Sequence, residues 1–305
     1  MSKAAFIPID RCWVCDGTML TPVHGATFEL TEYRKQDPQL ADYSGASVEI
    51  VECGACGFAQ PAALPAIDAY FDRMYDQRWS DDWIVAEHEA GYKDAIFDDI
   101  LDALGRRLPR ERRRLLDVGA HAGRFIAVAR RAGWQAEGLE LNPKTAAFAA
   151  AATGAPVHQG NVHTFDADGA YDAVTLTDVL EHIPEPRVVL RRVARYLAPG
   201  GWIAVKVPNG PAQRIKERAR AALRPGYRPT LADNLVHVNH FSPASLRRAL
   251  EEEGFRAITV IAGAPELPDS AASRFVRRLA FLPARVIPGA VHTPLALNLQ
   301  AYGRR

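Results

Sequence analysis

The chain has 305 residues, of which 48% are hydrophobic and 24% charged, so it can bury a full core and global disorder is not expected. Lysine and arginine number 37 against 36 aspartate and glutamate, and this balance argues against nucleic acid as a bulk electrostatic partner. The first residues lack a signal-peptide pattern, and no apolar run approaches the roughly 20 residues that span a bilayer, so a cytoplasmic location is expected.

The four cysteines form two C-x-x-C pairs, and this spacing predicts a structural zinc site. The alternatives are disfavoured: nothing suggests the oxidising compartment that disulfides need, and a redox dithiol would not need a second copy. Four thiolates leave the ion no open position for substrate, so its role would be to fold the N-terminal unit. We expect a zinc ribbon over residues 1–62 with the ligands Cys12, Cys15, Cys53 and Cys56.

Residues 63–110 are predicted to form a linker and helices, which a family resemblance set out below implies to be a cap over a ligand. The proline-flanked stretch 61–65 is typical of a linker, residues 67–105 are rich in aromatic side chains, and residues 89–104 have helical apolar spacing. Tyr75 and Trp79 are candidates for contact with a cofactor or substrate. The alternative is that these rings only pack the ribbon against the rest of the protein.

A glycine-containing turn at residues 115–125 (L-L-D-V-G-A-H-A-G-R-F) joins an apolar run to a helix-like segment. Gly119 and Gly123 permit positive φ and close backbone approach, and a helix N-terminus offers unpaired N–H groups to an anion. The next apolar run, 135–141, contains Glu140 about 20 residues after the turn, where a carboxylate accepts bonds from ribose hydroxyls. We predict a nucleotide-containing cofactor, and the dehydrogenase fingerprint G-x-G-x-x-G is not matched.

Apolar strand-like and helix-like segments alternate from residue 115 onward, which predicts a parallel doubly wound sheet. The segment 295–302 alternates cleanly between apolar and polar residues and is predicted as the final strand. The predicted strands are 115–118, 135–141, 156–159, 171–177, 203–207, 257–261 and 295–302.

Three segments together resemble class I S-adenosylmethionine-dependent methyltransferases: the turn D-V-G-x-x-x-G, residues 171–186 (Y-D-A-V-T-L-T-D-V-L-E-H-I-P-E-P) and residues 197–207 (L-A-P-G-G-W-I-A-V-K-V). The resemblance covers residues 115–255. It implies an α/β fold, with a Rossmann-like doubly wound sheet and an antiparallel last strand, in a domain of residues 111–305. It also implies that S-adenosylmethionine is the cofactor, held by Asp117, Gly119, Ala120, His121, Gly123, Glu140, Asn161, Val162 and Thr177.

The chain departs from that family at two of these positions. His121 stands where the family usually has glycine, and we expect its side chain to hydrogen-bond the cofactor carboxylate, with a tolerated loop residue as the alternative. Asn161 stands where the family usually has an acid that contacts the adenine amine. An amide carbonyl can still accept that bond, so the resemblance implies that Asn161 does so.

Residues 209–240 form an insertion that we predict to be a substrate lid. Its part 214–228 carries six cationic side chains against Glu217 alone, which suits a phosphate-bearing acceptor; a solvated helix face is the equal alternative. A second basic and apolar segment, 273–285, could contact an anionic membrane surface, but an amphipathic helix packed on the protein is favoured.

Methyl transfer to a hydroxyl requires a base beside the methyl group. The candidates for catalysis are His240, His182 and Glu181, because the segments that carry them should meet at the carboxyl edge of the sheet. His240 is slightly favoured, since Ser242 is a good N-cap for a helix over residues 244–253 and would hold His240 at a rigid edge.

The spacing Asp178-x-x-Glu181-His182 resembles the metal motif of ubiquinone-pathway O-methyltransferases and small-RNA 2′-O-methyltransferases. The resemblance implies a divalent ion that polarises the acceptor hydroxyl. In metal-free relatives the glutamate instead caps the next helix and the histidine orients the substrate, and that alternative is favoured.

The function expected from these features is S-adenosylmethionine-dependent O-methylation of a sugar hydroxyl in a glycan precursor or natural product, because the ribbon with this domain looks like enzymes of such pathways. The acceptor would be a small molecule, a sugar or phosphate-bearing glycoside. Three alternatives stay open: a C-methyltransferase acting on a nucleotide-linked keto sugar, a metal-dependent small-molecule O-methyltransferase, and a binding protein that holds cofactor without turnover.

Overall fold

The computed structural model describes residues 4–76, 80–167, 169–227, 230, 232–267, 282–287, 289–293 and 295–305. Trp79, a predicted contact residue, and Arg228 lie outside the described residues, as does most of the basic segment 273–285.

The N-terminal unit is built from short antiparallel strands. Strands β2, β3 and β4 form a three-stranded sheet, and β1 pairs with β5. The predicted linker at 61–65 is therefore wrong, because residues 63–65 form an edge strand, where prolines are tolerated. The elements are β1 (Phe6–Pro8), β2 (Leu20–Thr27), α1 (Pro38–Ala41), β3 (Ser47–Cys53), β4 (Ala59–Pro61) and β5 (Ala63–Pro65).

A group of helices follows and lies beside the main sheet: α2 (Tyr70–Asp76), α3 (Asp81–Glu89) and α4 (Asp94–Arg107). The helix predicted over 89–104 begins later than expected. Gly91 follows α3 and has φ +60°, a left-handed conformation that ends a helix, so the chain changes direction before α4 begins. The buried face of α4, which includes Ile96, Ile100 and Leu104, packs against the sheet and α5.

The main sheet has seven strands in the order β11-β12-β10-β9-β6-β7-β8, and β12 runs antiparallel to both of its neighbours. The predicted doubly wound sheet with an antiparallel last strand is confirmed. The elements are β6 (Arg114–Val118), α5 (Arg124–Arg131), β7 (Gln135–Glu140), α6 (Pro143–Thr153), β8 (Val157–Gln159), β9 (Tyr171–Thr177), α7 (Pro186–Tyr196), β10 (Leu197–Pro208), α8 (Gly210–Leu223), α9 (Pro243–Glu252), β11 (Arg256–Ala262) and β12 (Asn298–Arg304).

The core lies on both faces of this sheet, because successive side chains of a strand point to opposite faces. On β6, Leu116 and Val118 pack towards α7 and α9, whereas Leu115 packs towards α4 and α5. Ser242 is the N-cap of helix α9, as the sequence predicted, and its side chain accepts from the backbone N–H of Ser245 in a capping box.

Candidate active site

A cavity of about 940 Å³ lies at the carboxyl ends of β6, β7, β8 and β9, with residues of α2 and α3 in its wall. In a doubly wound sheet this edge is where ligands bind. Of the residues predicted to hold a cofactor, those in its wall are Asp117, Gly119, Ala120, His121, Glu140, Asn161, Val162 and Thr177; Gly123 lies behind them, at the start of α5.

Packing explains both glycines of the turn. Gly119 has φ +74°, and an added Cβ would lie 2.4 Å from Cγ2 of Val179, in the loop after β9. Gly123 has φ +76°, and its Cβ would lie 2.9 Å from Cβ of Ala149 on α6. Only glycine therefore allows the turn, the β9 loop and α6 to approach each other this closely.

Glu140 ends β7 as a buried carboxylate with a fixed orientation. Its Oε2 accepts from the backbone N–H of His121 at 2.8 Å, and its Oε1 accepts from the backbone N–H of Asn142 at 3.0 Å and the hydroxyl of Thr145 at 3.1 Å. Burial raises the pKa of Glu140, and these donors oppose the shift. The group is placed to accept further bonds from a ligand in the cavity.

His121 and Asp117 are titratable groups whose burial changes their protonation. Burial lowers the pKa of His121 to about 4, so the ring is neutral at pH 7, and it packs edge-on against Trp83 at 4.9 Å between ring centres. Burial raises the pKa of Asp117 to about 7, and its carboxylate accepts from the hydroxyl of Thr175 at 2.7 Å. The imidazole of His121 therefore adds no charge to the wall of the cavity near the turn.

The side chain of Asn161 has a different orientation from the one expected for an acceptor of the adenine amine. Its Oδ1 already accepts from the backbone N–H of His163 at 2.9 Å, and its Nδ2 points to Oδ2 of Asp72, on α2, at 3.3 Å. The expected acceptor oxygen therefore faces His163, and the amide presents a donor to Asp72. Sequence reasoning missed Asp72, because its place in the cavity depends on how α2 packs.

Tyr75 and His182 lie against each other in the wall of the cavity. The Tyr75 oxygen lies 2.5 Å from Nδ1 of His182, and the carbonyl oxygen of Val236 lies 2.5 Å from the same nitrogen. Both side chains line the cavity. The roles of His182 as a base and of Tyr75 as a contact residue stay predictions.

Asp178, a metal ligand that the motif suggested, is ion-paired in the structure, and its role as a ligand stays a prediction. Its carboxylate is ion-paired with Lys206 of β10, and Lys93 Nζ lies 3.3 Å from its Oδ2. Burial alone would raise the pKa of Asp178, but the charges of Lys206 and Lys93 hold it well below its usual range. Lys93 and its neighbour Glu87 also line the cavity and were missed from the sequence.

A different trio lies close together: ligand atoms of Glu181, His182 and His237 are within 4.8 Å of one another. Glu181 is 1% exposed, and its Oε2 has no hydrogen-bond partner among the described residues. Burial, followed by the negative charge of Asp178, raises its pKa well above the ordinary value. The motif Asp178-x-x-Glu181-His182 thus supplies two residues of the trio, and His237 comes from the insertion 209–240.

His240, the favoured base candidate, lies away from the cavity wall. It pairs with Ala59 of β4 in an isolated β-bridge, and its ring lies 5.8 Å from that of His24 on β2. The side chain is 2% exposed, and burial holds its pKa well below the usual range. Ser242 does fix the residue, but against the N-terminal unit, and the role of His240 as the base stays a prediction.

Helix α8, in the predicted lid, contacts the N-terminal unit through an ion pair of Arg214 with Glu52 of β3. Among the described residues of 209–240, Val236 is the one that lines the cavity. The lid stays a prediction.

The four cysteines converge at one point of the N-terminal unit, with Sγ of Cys12 3.6 Å from Sγ of Cys56 and Sγ of Cys15 3.5 Å from Sγ of Cys53. In the part of the chain that the structure describes, no helix is long and apolar enough to cross a membrane.

A family model described as "Methyltransferase domain" matches residues 88–260. Curated relatives include ubiquinone biosynthesis O-methyltransferases: the Chromobacterium violaceum protein is 31% identical over 116 residues, which are 36% of this chain and 50% of that protein. The Sodalis glossinidius protein is 35% identical over 102 residues, 31% and 41% of the two chains. This chain thus spans at most about half the length of these relatives.

Two solved structures support the fold. A Haloferax volcanii methyltransferase in complex with its Trm112 activator has a TM-score of 0.52 at 18% identity, covering 78% of this chain and 99% of that chain. A Haemonchus contortus phosphoethanolamine N-methyltransferase has a TM-score of 0.51 at 16% identity, covering 80% and 62%.

Proposed function

We propose that this chain, which belongs to the methyltransferase domain family, methylates a hydroxyl group of a small-molecule acceptor with S-adenosylmethionine. The observation that carries the proposal is that the cavity beside the glycine turn and Glu140 also contains the Tyr75–His182 pair. One wall is suited to a nucleoside and the other to an acceptor hydroxyl.

The residues of the cavity fit the cofactor. Glu140 is oriented to accept bonds from the ribose hydroxyls, and Thr177 has a buried hydroxyl with no partner among the described residues. Lys93 and Glu87 offer one cation and one anion to the zwitterionic methionine end. When bound, S-adenosylmethionine supplies an electrophilic methyl group.

We assign the proton acceptor to His182. In the tautomer whose Nδ1–H donates to the carbonyl of Val236, Nε2 is the basic nitrogen. The hydroxyl of Tyr75 lies against the same side of the ring and restricts its orientation. A base whose direction is set by two neighbours removes a proton more effectively than a freely rotating ring.

Oxygen as the accepting atom is supported by the names of the curated relatives, which are O-methyltransferases. A sugar of a glycan precursor or natural product, bearing a phosphate group, is the acceptor that we favour, because the ribbon resembles that of such enzymes and α8 is basic. The cavity wall, with polar groups such as Asp72, Arg73 and His163 among apolar ones, suits a ligand of mixed polarity.

A labelled-methyl transfer assay tests the proposal. Nucleotide sugars, including keto sugars, lipid-linked saccharides and phenols are each offered to the full chain, with and without chelator. We expect label on an oxygen of a sugar, without need for added metal. Label on carbon would favour the C-methyltransferase, and tight cofactor binding with no transfer to any acceptor would favour the binding protein.

The second candidate is a metal-dependent O-methyltransferase, which the Glu181–His182–His237 trio favours. One carboxylate and two imidazoles are a donor set for a divalent transition metal, which would polarise the acceptor hydroxyl. Loss of transfer in chelator, restored by Mn²⁺ or Zn²⁺ in the wild type but not in Glu181→Gln, would establish this candidate.

We also propose that the cysteine cluster holds a structural zinc ion. Sulfur atoms around a tetrahedral zinc lie about 3.8 Å apart, given Zn–S bonds of about 2.3 Å, and the distances of 3.5 and 3.6 Å are close to this value. The site would stabilise the turns at the ends of β3 and before β2.

A further inference from the structure

Glu140 defines where the nucleobase of the proposed cofactor must lie. It ends β7, and the next residues of the cavity wall are Leu141 after β7 and Gly160, Asn161 and Val162 after β8. A ribose bound at Glu140 therefore directs its base towards the ends of these two strands, between apolar side chains.

Asn161 presents a donor at this place. Its carbonyl oxygen already accepts from the backbone N–H of His163, and its amide nitrogen is directed to Asp72, which also lines the cavity. An amide N–H can donate to a ring nitrogen of a purine, but it cannot accept from an exocyclic amine.

Asp72 supplies the acceptor that Asn161 does not. Its carboxylate lines the cavity, is partly buried, and takes one bond from Asn161 through Oδ2 at 3.3 Å. An ionised carboxylate offers about four acceptor positions, so this bond leaves capacity for a ligand donor. Burial raises the pKa of Asp72 above its usual value, and a donor from a ligand would favour the ionised form.

Resting on the proposed function, we propose that Asp72 of the cap helix α2 recognises the 6-amino group of the cofactor's adenine, with Asn161 donating to the adjacent ring nitrogen. Adenine offers an amine donor beside a ring acceptor, which this acceptor and donor pair complements. A 6-oxo purine reverses both groups and would place its carbonyl oxygen against the carboxylate.

Helix α2 would place the nucleobase and the proposed base beside the same element. Asp72 and Tyr75 are three residues apart on α2 and lie on one face of that helix, so a single short element contacts both the nucleobase and the acceptor base. Occupation of the cofactor site would therefore hold Tyr75 in its position beside His182.

Calorimetry with the full chain tests this role. S-adenosylhomocysteine and its 6-oxo analogue S-inosylhomocysteine are titrated into wild type, Asp72→Asn and Asp68→Asn, the last being a matched control at an exposed position of the same segment outside the cavity wall. We expect wild type and Asp68→Asn to prefer the adenine compound at least tenfold, and Asp72→Asn to lose that preference, because a charge-assisted bond is removed and an amide can turn to donate to the oxo group.

The outcomes separate the two proposals. Equal affinity of the wild type for both compounds would overturn the role of Asp72. An Asp72→Asn protein that still prefers the adenine compound would also overturn it. The same holds if this variant loses affinity for both compounds equally. If wild type binds neither compound, the proposed cofactor itself is wrong.

Discussion

The hydroxyl oxygen of Tyr75 lies 2.5 Å from Nδ1 of His182, although 107 residues separate them in the chain. Tyr75 belongs to α2, before the sheet begins, and His182 to the loop after β9. The helix that precedes the main sheet therefore contributes to the proposed acceptor site, and the geometry of the proposed base depends on how that helix packs.

Replacement of His182 by Gln tests the base directly. We expect kcat to fall by about 10²–10⁴-fold, because a positioned proton acceptor is lost, while cofactor affinity changes little. Steady-state rates and calorimetry measure the two effects, and the exposed His292→Gln variant is the control. Full kcat in His182→Gln over pH 6–9 would place proton removal elsewhere.

His240 is expected to matter for stability and not for chemistry. The His240→Gln variant should lose roughly 1–3 kcal/mol of unfolding free energy at pH 8, because a fully buried ring is replaced, and should keep kcat within a few fold. Urea unfolding and transfer rates measure these effects. A loss of kcat beyond 100-fold with normal stability would restore His240 as the base.

The pH dependence of His240 has a definite sign. Its folded pKa lies well below that of the unfolded chain, about 6.5, so the unfolded state takes up the proton first as pH falls. The stability advantage of wild type over His240→Gln should therefore be full above about pH 7 and shrink below pH 6.5. An advantage that grows on acidification would mean that the folded ring is charged.

Lys206 is predicted to stabilise the loop after β9 through Asp178. Lys206 is 4% exposed, so Lys206→Met would leave the Asp178 carboxylate with Lys93 as its ion-pair partner among the described residues. We expect the free energy of unfolding to fall by about 3 kcal/mol. The double variant Lys206→Met/Asp178→Asn should recover much of that loss, and denaturant unfolding of all variants completes the cycle. Additive losses would show that the two residues do not interact.

Zinc is expected at one ion per chain, retained through purification. Native mass spectrometry measures it, and the Cys53→Ser variant should lose the metal and unfold its N-terminal unit at lower temperature, because zinc binding contributes folding free energy. Rapid alkylation of all four thiols in the folded, metal-free wild type would contradict the prediction of a zinc ribbon.

Local patterns predicted the sheet because strand periodicity and glycine turns are local signals. The strand predicted at 171–177 has those bounds as β9, and Glu140 lies at the end of β7 as expected. Long-range packing could not be predicted from such local signals. The bridge of His240 to Ala59 and the ion pair of Asp178 with Lys206 depend on how distant segments meet, and no residue spacing in the sequence reports that.

The helices that precede the main sheet also show that long-range packing could not be predicted from residue spacing. The family resemblance implies that residues 67–105 hold helices that cap the cofactor, and Tyr75 is one of the contact candidates in this aromatic-rich segment. Asp72 carries no comparable signal, because an aspartate on a short helix is usually solvated. Its position beside Asn161 appears only once α2 is packed against the end of β8.

Binding of S-adenosylmethionine to wild type, Glu140→Ala and Glu137→Ala tests the central claim most directly. Glu137 lies on the same strand, three residues before Glu140, and is outside the cavity wall, so its variant controls for loss of a carboxylate from β7. The account predicts that calorimetry finds binding to wild type and Glu137→Ala, and an affinity at least tenfold weaker for Glu140→Ala, because bonds to the ribose are lost. Equal affinity of all three proteins would contradict the assignment of the cavity to the cofactor.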